Sequence, residues 1–333
     1  MNDIHIKRKE LRESPLGNHF TETFNCWRRG YLRYICGLRP VQTEEYFAYG
    51  NVIHEAMEFF YNNPEMSSRV HDVLEVVMEF YKDKFPSGSF DSYFRKAVGS
   101  MSDWITKYLS YDLSEFDLVG TEVEITAYLP NGYPKTFRID RLMRSKKVGK
   151  LVAFDTKTTG HSVMTPIKAM NNSEQALSYL WAIRQEFKER PLGFYVDALY
   201  ARPLKDGTFS IATARSDLIT FPDDAMDQYI LGQVGLMSEI IQKVKAMKHY
   251  PVDILFYRCP GECQTFSCPF EAICRKKVAV GDLPEGFTLD PWQAMVPITS
   301  LTISAEEGRA LQEELKDRQL QLSFLFDEKK EGK

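Results

Sequence analysis

Apolar positions along the chain recur first at helical spacing and then at the two-residue spacing of strands. Ile53, Met57 and Phe60, for example, fall on one face of a helical segment. We predict helices at residues 15–36, 47–61, 68–83, 91–109, 173–187, 223–248 and 304–322. We predict strands at residues 118–129, 136–143, 151–157, 193–200 and 209–214. This order indicates an α/β or α+β core with a helical N-terminal lobe, and not an array of repeats.

Two of the predicted strands carry the charged residues that matter most. Asp140 and Asp155 lie fifteen positions apart, and residues 144–150 between them are polar and include a glycine, so a hairpin is expected. The two-residue period of a strand places Asp155 and Lys157 on one face. Two carboxylates about 4 Å apart repel each other by roughly 4 kcal/mol, and a bound divalent cation is the usual remedy. The pattern therefore predicts a metal-dependent phosphodiesterase.

Composition and charge narrow the class of protein. The chain has 333 residues, of which 44% are hydrophobic and 26% charged, so it is globular and long enough for one elaborated domain or two packed lobes. It has no run of about 18 apolar residues and no apolar signal-peptide core, so we expect a cytoplasmic protein without membrane contact.

The net charge of −4 gives no bulk attraction to nucleic acid, and local basic clusters would have to bind it. The candidates are Arg28, Arg29, Arg33, Arg39, Lys146, Lys147 and Lys150. Solvated surface faces are the alternative interpretation of these clusters.

Four of the six cysteines fall within sixteen residues, namely Cys259, Cys263, Cys268 and Cys274. In a reducing compartment such a group holds metal more often than it forms disulfides, because thiolates are soft ligands. Both a four-thiolate zinc site and an iron-sulfur cluster fit the number of ligands. Cys26 and Cys36 lie far upstream, and one of them could complete a site across the fold.

Six segments resemble, in order, the motifs of the RecB-like branch of the PD-(D/E)xK nuclease superfamily. They are Phe24-Asn25-Cys26-Trp27-Arg28, Gly50-Asn51-Val52-Ile53-His54-Glu55, Asp140, Asp155-Thr156-Lys157-Thr158-Thr159-Gly160, Gln175-Ala176-Leu177-Ser178-Tyr179 and the C-terminal cysteines. The resemblance is to the iron-sulfur members in particular, which include phage exonucleases, CRISPR-adaptation nucleases and the AddB nuclease domain. It spans residues 14–277.

The resemblance implies a restriction-endonuclease-like core, in which a mixed central sheet is flanked by helices and a cysteine cluster staples the C-terminal segment. It implies a nuclease domain at residues 1–280, with an iron-sulfur cluster linking its N- and C-terminal parts. Residues 281–333 would then form a loop, a helix and a charged tail of unknown role.

The resemblance also assigns roles to individual residues. One or two Mg²⁺ or Mn²⁺ ions would be bound by His54, Asp140, Asp155 and the backbone carbonyl of Thr156. Lys157 would complete the catalytic group with the two aspartates, and Gln175 and Tyr179 would contact DNA. Because imidazole is a ligand, manganese is favoured over magnesium, which prefers oxygen donors.

The cysteine pattern and the first motif depart from the family. Ile139 replaces the proline of the family name and leaves Asp140 in place. The resemblance implies a [4Fe-4S] cluster on Cys26, Cys263, Cys268 and Cys274, with zinc as the less favoured occupant. Cys259 is then a spare, and Cys36 is expected to be a small buried apolar residue.

Several residues keep two interpretations at this stage. Glu122 and Glu124 share one face of a strand, where either could lie near the metal or simply face solvent. Trp27, Tyr31 and Tyr34 could stack on the bases of a single strand, or they could belong to the core.

The expected function is a metal-dependent DNA exonuclease that acts on single strands or DNA ends. The chain has no G-x-x-x-x-G-K-[ST] motif, so opening a duplex would need a partner helicase. The alternative is a catalytically silent DNA-binding or assembly subunit of a recombination, replication or CRISPR-adaptation complex. Retention of Asp140, Asp155 and Lys157 argues against that alternative.

Overall fold

The computed structural model describes residues 17–41, 45–171, 173–261, 268–279 and 282–289. The chain divides into two compact units. The described parts of residues 43–127 and 136–229 form the first unit, and those of residues 14–42, 128–135 and 230–333 form the second.

The first unit contains a helical layer and a five-stranded sheet. Its α-helices are α3 (Glu45–Asn62), α4 (Val70–Glu79), α5 (Phe90–Trp104), α6 (Ser110–Glu115), α7 (Met164–Met170) and α8 (Glu174–Phe187). Its strands are β2 (Phe116–Tyr128), β3 (Pro134–Ser145), β4 (Leu151–Thr159), β5 (Gly193–Pro203) and β6 (Phe209–Arg215). A π-helical turn at Ile105–Leu109 joins α5 to α6, and 3₁₀ turns lie at Pro64–Arg69 and Lys82–Lys84.

The sheet has the order β2-β3-β4-β5-β6. Strands β3 and β4 are antiparallel, β4 and β5 are parallel, and β5 and β6 are antiparallel. The parallel pair is connected through α7 and α8, as a parallel crossover requires. The mixed sheet flanked by helices confirms the predicted fold class, and all five predicted strands are present.

The apolar core of the first unit lies between the helical layer and one face of the sheet. On α4, Val73, Leu74, Val77 and Met78 are buried because their spacing places them on one side of the helix. The same core includes Phe154 of β4 and other alternate residues of the strands.

Buried ion pairs cross this core between the sheet and the helices. Arg141 donates to Asp197 at 2.8 Å, and Arg215 pairs with both Asp197 and Asp112. The indole of Trp104 also donates to Asp197, at 3.1 Å. Burial alone raises the pKa of a carboxyl group, but Arg215 and Arg141 outweigh burial and hold the pKa of Asp197 below its ordinary value.

The second unit combines both ends of the chain. Its elements are α1 (Asn18–Thr23), α2 (Trp27–Gly30), a π-helical turn at Tyr31–Ile35, β1 (Leu38–Pro40), most of α9 (Asp223–Ala246), α10 (Val252–Leu255), α11 (Glu271–Cys274) and β7 (Phe287–Leu289). Strands β1 and β7 are antiparallel, and Arg39 pairs with Thr288.

The predicted helix at residues 15–36 is wrong in one respect, because it is interrupted at residues 24–26. Cys26 has extended backbone angles and precedes α2. The ring of Phe24 fills the space where a Gly30 side chain would lie, at 2.2 Å from an ideal Cβ. This close approach requires the chain to fold back, which a continuous helix does not allow.

The aromatic residues of this region and two of its arginines are in the core and not on a surface. Trp27, Tyr31 and Tyr34 are buried, and the rings of Phe24 and Tyr34 stack. The core interpretation is therefore correct, and a stacking path for single strands is not formed by these rings. Arg28 and Arg33 are buried too, so these members of the predicted basic clusters do not form a solvated face.

Helix α7 and the β1–β7 pair were not predicted, because each is too short to show a periodic pattern. The predicted helix at residues 304–322 lies outside the described residues. Within the described ranges, we find no helix with the length and apolar content of a membrane span.

Replacing Asp197 by asparagine should destabilise the protein by about 3–5 kcal/mol, because two buried guanidinium groups lose their shared carboxylate. Urea denaturation at pH 7 measures this loss. Since the folded-state pKa of Asp197 is lowered, its contribution is present above the unfolded value near 3.9 and disappears as the pH falls through the folded value. The difference in the free energy of unfolding between wild type and variant should therefore narrow below about pH 4. A difference that stays constant at all pH values would contradict the lowered pKa of Asp197.

Candidate active site

The β3–β4 hairpin places Asp140 and Asp155 next to each other. Arg141 of β3 pairs with Phe154 of β4 in antiparallel register. Asp140, which precedes Arg141, therefore lies opposite Asp155, which follows Phe154. The backbone N–H of Thr156 donates to Asp140 Oδ2 at 2.7 Å. This hydrogen bond fixes the orientation of the Asp140 carboxylate against β4.

Three potential metal ligands from different elements surround one point. His54 of α3, Glu122 of β2 and Asp140 of β3 place one ligand atom each within 4.8 Å of one another. His54 Nδ1 lies 3.3 Å from Asp140 Oδ2 and 3.8 Å from Glu122 Oε1. One nitrogen and two carboxylate oxygens form a donor set suited to a divalent cation such as Mn²⁺.

Glu122 is the ligand candidate that the sequence could not separate from Glu124. The side chain of Glu122 is 15% exposed and also pairs with Arg138, whereas Glu124 is exposed. Glu122 has a φ of 48°, in the left-handed region that non-glycine residues seldom occupy. Such angles are a local backbone property, and no two-residue alternation reveals them.

Asp155 is almost fully buried beside this group. Lys157 Nζ donates to its Oδ1 at 3.1 Å and lies 2.8 Å from its Oδ2. Among the described residues, the ammonium is the ion-pair partner of Oδ2, and no hydrogen bond of regular geometry reaches this buried oxygen. A metal ion bound here would coordinate it, so the residues present fit a metal ion.

The charges of the site shift the pKa values of its members. Burial is the main cause that raises the pKa of Asp155 to about 6; repulsion from Asp140 adds to it, and Lys157 and His54 oppose it. Burial lowers the pKa of His54, but Asp140 and Glu122 outweigh burial and raise it to about 8. Arg138 and Lys157 balance two of the three carboxylates, and a proton on His54 would balance the third. A metal ion would replace that proton.

Gln175 and Tyr179 of α8 lie against Asp155. Gln175 Nε2 donates to Asp155 Oδ1 and to the Tyr179 hydroxyl, at 2.9 Å in both cases. Helix α8 begins where the Ser173 hydroxyl accepts from the backbone N–H of Gln175, which fixes the start of the helix beside β4. Tyr179 is buried, and burial next to Asp155 raises its pKa well above the ordinary value.

Thr156 lies between Asp155 and Lys157 on β4, and its side chain is directed into the core. Its hydroxyl donates to Met57 Sδ at 3.2 Å. The metal-binding role of its backbone carbonyl stays a prediction.

The predicted cysteine ligands belong to the second unit. Cys26 and Cys36 are buried, and Cys259, Cys268 and Cys274 are partly exposed. Cys263 lies outside the described residues. Burial raises the pKa of Cys36 to about 12.

The chain matches the PD-(D/E)XK nuclease superfamily over residues 20–275. It therefore belongs to this superfamily, for which a phosphodiester-cleaving hydrolase is the implied activity, and Mg²⁺ or Mn²⁺ the usual metal. No curated protein matches the chain.

Several solved structures are similar to the chain, including these two. A protein from Eubacterium rectale, provisionally named an exonuclease, is 15% identical, with 81% of this chain and 91% of that chain covered and a TM-score of 0.46. The protein SSO0001 is 18% identical, with 61% and 82% covered and a TM-score of 0.29. These values are too low to transfer an activity.

Replacing Glu122 by glutamine should weaken Mn²⁺ binding by at least about tenfold, because one carboxylate of the donor set loses its charge. Isothermal titration calorimetry measures the affinity. Glu124→Gln is the matched control, since Glu124 lies two residues away on the same strand and is exposed. Equal affinities for the two variants would exclude Glu122 as a ligand.

Proposed function

We propose that the protein is a metal-dependent deoxyribonuclease that hydrolyses phosphodiester bonds, acting as an exonuclease on single strands or DNA ends. The observation that carries the proposal is the meeting of Asp140, Asp155 and Lys157 with His54 and Glu122 in one unit. The membership of this chain in a nuclease superfamily and the convergence of His54, Glu122 and Asp140 support the proposal.

Asp140, Asp155, His54 and Glu122 would hold the metal, together with the backbone carbonyl of Thr156. When bound, a divalent ion acidifies water and neutralises charge on the phosphoryl group. The buried Oδ2 of Asp155, which makes no hydrogen bond of regular geometry within the described residues, and the three convergent ligand atoms support this assignment. The imidazole among the donors favours Mn²⁺ over Mg²⁺.

Lys157 would act on the phosphate and the attacking water. Its ammonium group is held by an ion pair with Asp155, and its side chain is about one-third exposed. It can therefore contact a bound substrate. From that position it orients the water and stabilises the negative charge that develops on the phosphoryl oxygens.

Gln175 would hold the Asp155 carboxylate in place and contact the DNA strand through its amide oxygen, because both amide hydrogens are donated within the site. Its hydrogen bonds to Asp155 and Tyr179 support the first part of this role. Because Tyr179 is buried, only its hydroxyl group would contact DNA.

The alternative of a silent binding or assembly subunit has less support. Keeping Asp155 buried beside Asp140 raises its pKa to about 6, a cost that a protein without chemistry has no reason to maintain. A recombination, replication or CRISPR setting, and a partner helicase, stay part of the proposal for the active enzyme.

Replacing Lys157 by alanine should lower kcat by about 100- to 1,000-fold, because a donor aimed at developing charge is lost. The Mn²⁺ affinity of the Lys157→Ala variant should change by only a few fold. Asp155→Asn, in contrast, should lower both kcat and the Mn²⁺ affinity. End-labelled linear single- and double-stranded DNA with Mn²⁺ measures the rate, and Lys168→Ala, on the exposed face of α7, is the control.

Circular single-stranded DNA separates the two modes of cleavage in the same assay. An exonuclease leaves the circle intact and degrades the linear strand. A Lys157→Ala variant as active as wild type would rule out the proposed site.

We also propose that the second unit holds a [4Fe-4S] cluster on Cys26, Cys263, Cys268 and Cys274. The contacts of Arg28 support it: its backbone N–H donates to the Tyr257 carbonyl at 3.0 Å, and its guanidinium donates to the Lys276 carbonyl at 2.7 Å. Arg28 lies two residues after Cys26. Its two partners, Tyr257 and Lys276, lie two residues from Cys259 and Cys274, so these hydrogen bonds bring Cys26 near the C-terminal cysteines.

The cluster would be structural, because its ligands come from both ends of a nuclease domain at residues 1–280. Losing one ligand would then affect folding before chemistry. Zinc is the less favoured occupant of the same thiolates. Cys36 is buried, and we propose a small apolar role for it outside the ligand set.

Protein purified without air should be brown and contain iron and acid-labile sulfide. Cys274→Ser should lose most of the iron and aggregate or unfold more readily, whereas Cys36→Ala and Cys259→Ser should keep the colour. Metal analysis and visible absorption measure the outcome. Colourless wild-type protein with bound zinc would decide for the zinc site.

A further inference from the structure

Met57 lies where the three main elements of the candidate metal site meet. It is 2% exposed on α3, three residues after His54. Its sulfur accepts hydrogen bonds from Arg141 Nη1 at 3.4 Å and from the Thr156 hydroxyl at 3.2 Å. Arg141 directly follows Asp140, and Thr156 directly follows Asp155.

The geometry follows from the alternation of side chains along the strands. Neighbouring residues of a strand point to opposite faces, so the partners of Met57 lie on the face opposite to the two carboxylates. On that face the sulfur connects α3, β3 and β4, and each of these elements carries one predicted ligand toward the metal. A displacement of the sulfur contacts therefore changes the distances among His54, Asp140 and Asp155.

Arg141 is itself held rigidly. Its guanidinium donates to Asp197 and lies over the rings of Tyr61, Trp104 and Phe154 at 5.1 to 5.5 Å. A methionine alone would be a flexible contact, but this one bonds a side chain that the buried ion pairs fix in place.

We propose that Met57, with Arg141 and Thr156, is a positioning residue of the metal site: its thioether sets the separation of α3 from the β3–β4 hairpin. This inference rests on the proposed function, because it concerns the same metal ion. Met57 touches neither the metal nor the substrate.

Met57→Leu tests the inference, because leucine fills nearly the same volume and cannot accept a hydrogen bond. We expect Mn²⁺ affinity on the order of tenfold lower, as for residues that orient metal ligands, with little change in thermal unfolding. Met101→Leu is the matched control, because Met101 is a fully buried methionine of the same apolar core. Its affinity should equal that of wild type.

Thr156→Val provides an independent arm, since it removes only the hydroxyl donor. Valine should weaken Mn²⁺ binding in the same direction, and the double variant Met57→Leu/Thr156→Val should lose less than the product of the two single effects, because both act through one sulfur. Calorimetry and the paramagnetic resonance of bound Mn²⁺ measure affinity and coordination without any turnover.

The outcomes separate this inference from the proposed function. If wild type binds no Mn²⁺, the proposed function fails and the inference with it. If wild type binds Mn²⁺ and Met57→Leu binds it equally well, or Met101→Leu loses as much, the inference alone is overturned.

Discussion

The candidate site depends on the register of the β3–β4 hairpin. Arg141 pairs with Phe154, and this register places both aspartates on one face of the sheet and Arg141 on the other. A slip of one residue would turn Asp140 into the apolar core and expose Arg141. Such a slip would place the Asp140 carboxylate among apolar side chains and separate Arg141 from Asp197. The charged residues therefore favour the register that forms the site.

Charge on the two faces is handled in different ways. Under the sheet, Asp197 and Asp112 have guanidinium partners, and the network is closed among Arg141 and Arg215. In the site, three carboxylates lie beside Lys157 and Arg138, so one negative charge is in excess while His54 is neutral. Asp140 and Glu122 raise the pKa of His54 to about 8. The balanced network under the sheet contributes rigidity, while the site keeps an affinity for a proton or a metal ion at His54.

Much of this arrangement could be predicted from the sequence. The strands alternated or ran apolar over strand lengths, and Asp140, Asp155 and Lys157 could be placed in one hairpin from the polar segment between the aspartates. Glu122 could not be chosen over Glu124, because its left-handed backbone is not encoded in the alternation from which the strand was predicted. The interruption at Cys26 was missed for a similar reason: the packing of Phe24 on Gly30 is a contact between side chain and backbone that helical periodicity does not encode.

The pairing of β1 with β7 has a consequence for folding during synthesis on the ribosome. Arg39 and Thr288 are separated by 249 positions, and at 5–20 residues per second their synthesis is about 12–50 s apart. During that interval the aromatic segment at residues 20–35 lacks the C-terminal partners that bury it, including Phe256. Nascent chains of this protein would therefore expose these apolar rings to water for tens of seconds, a period in which chaperone binding competes with aggregation.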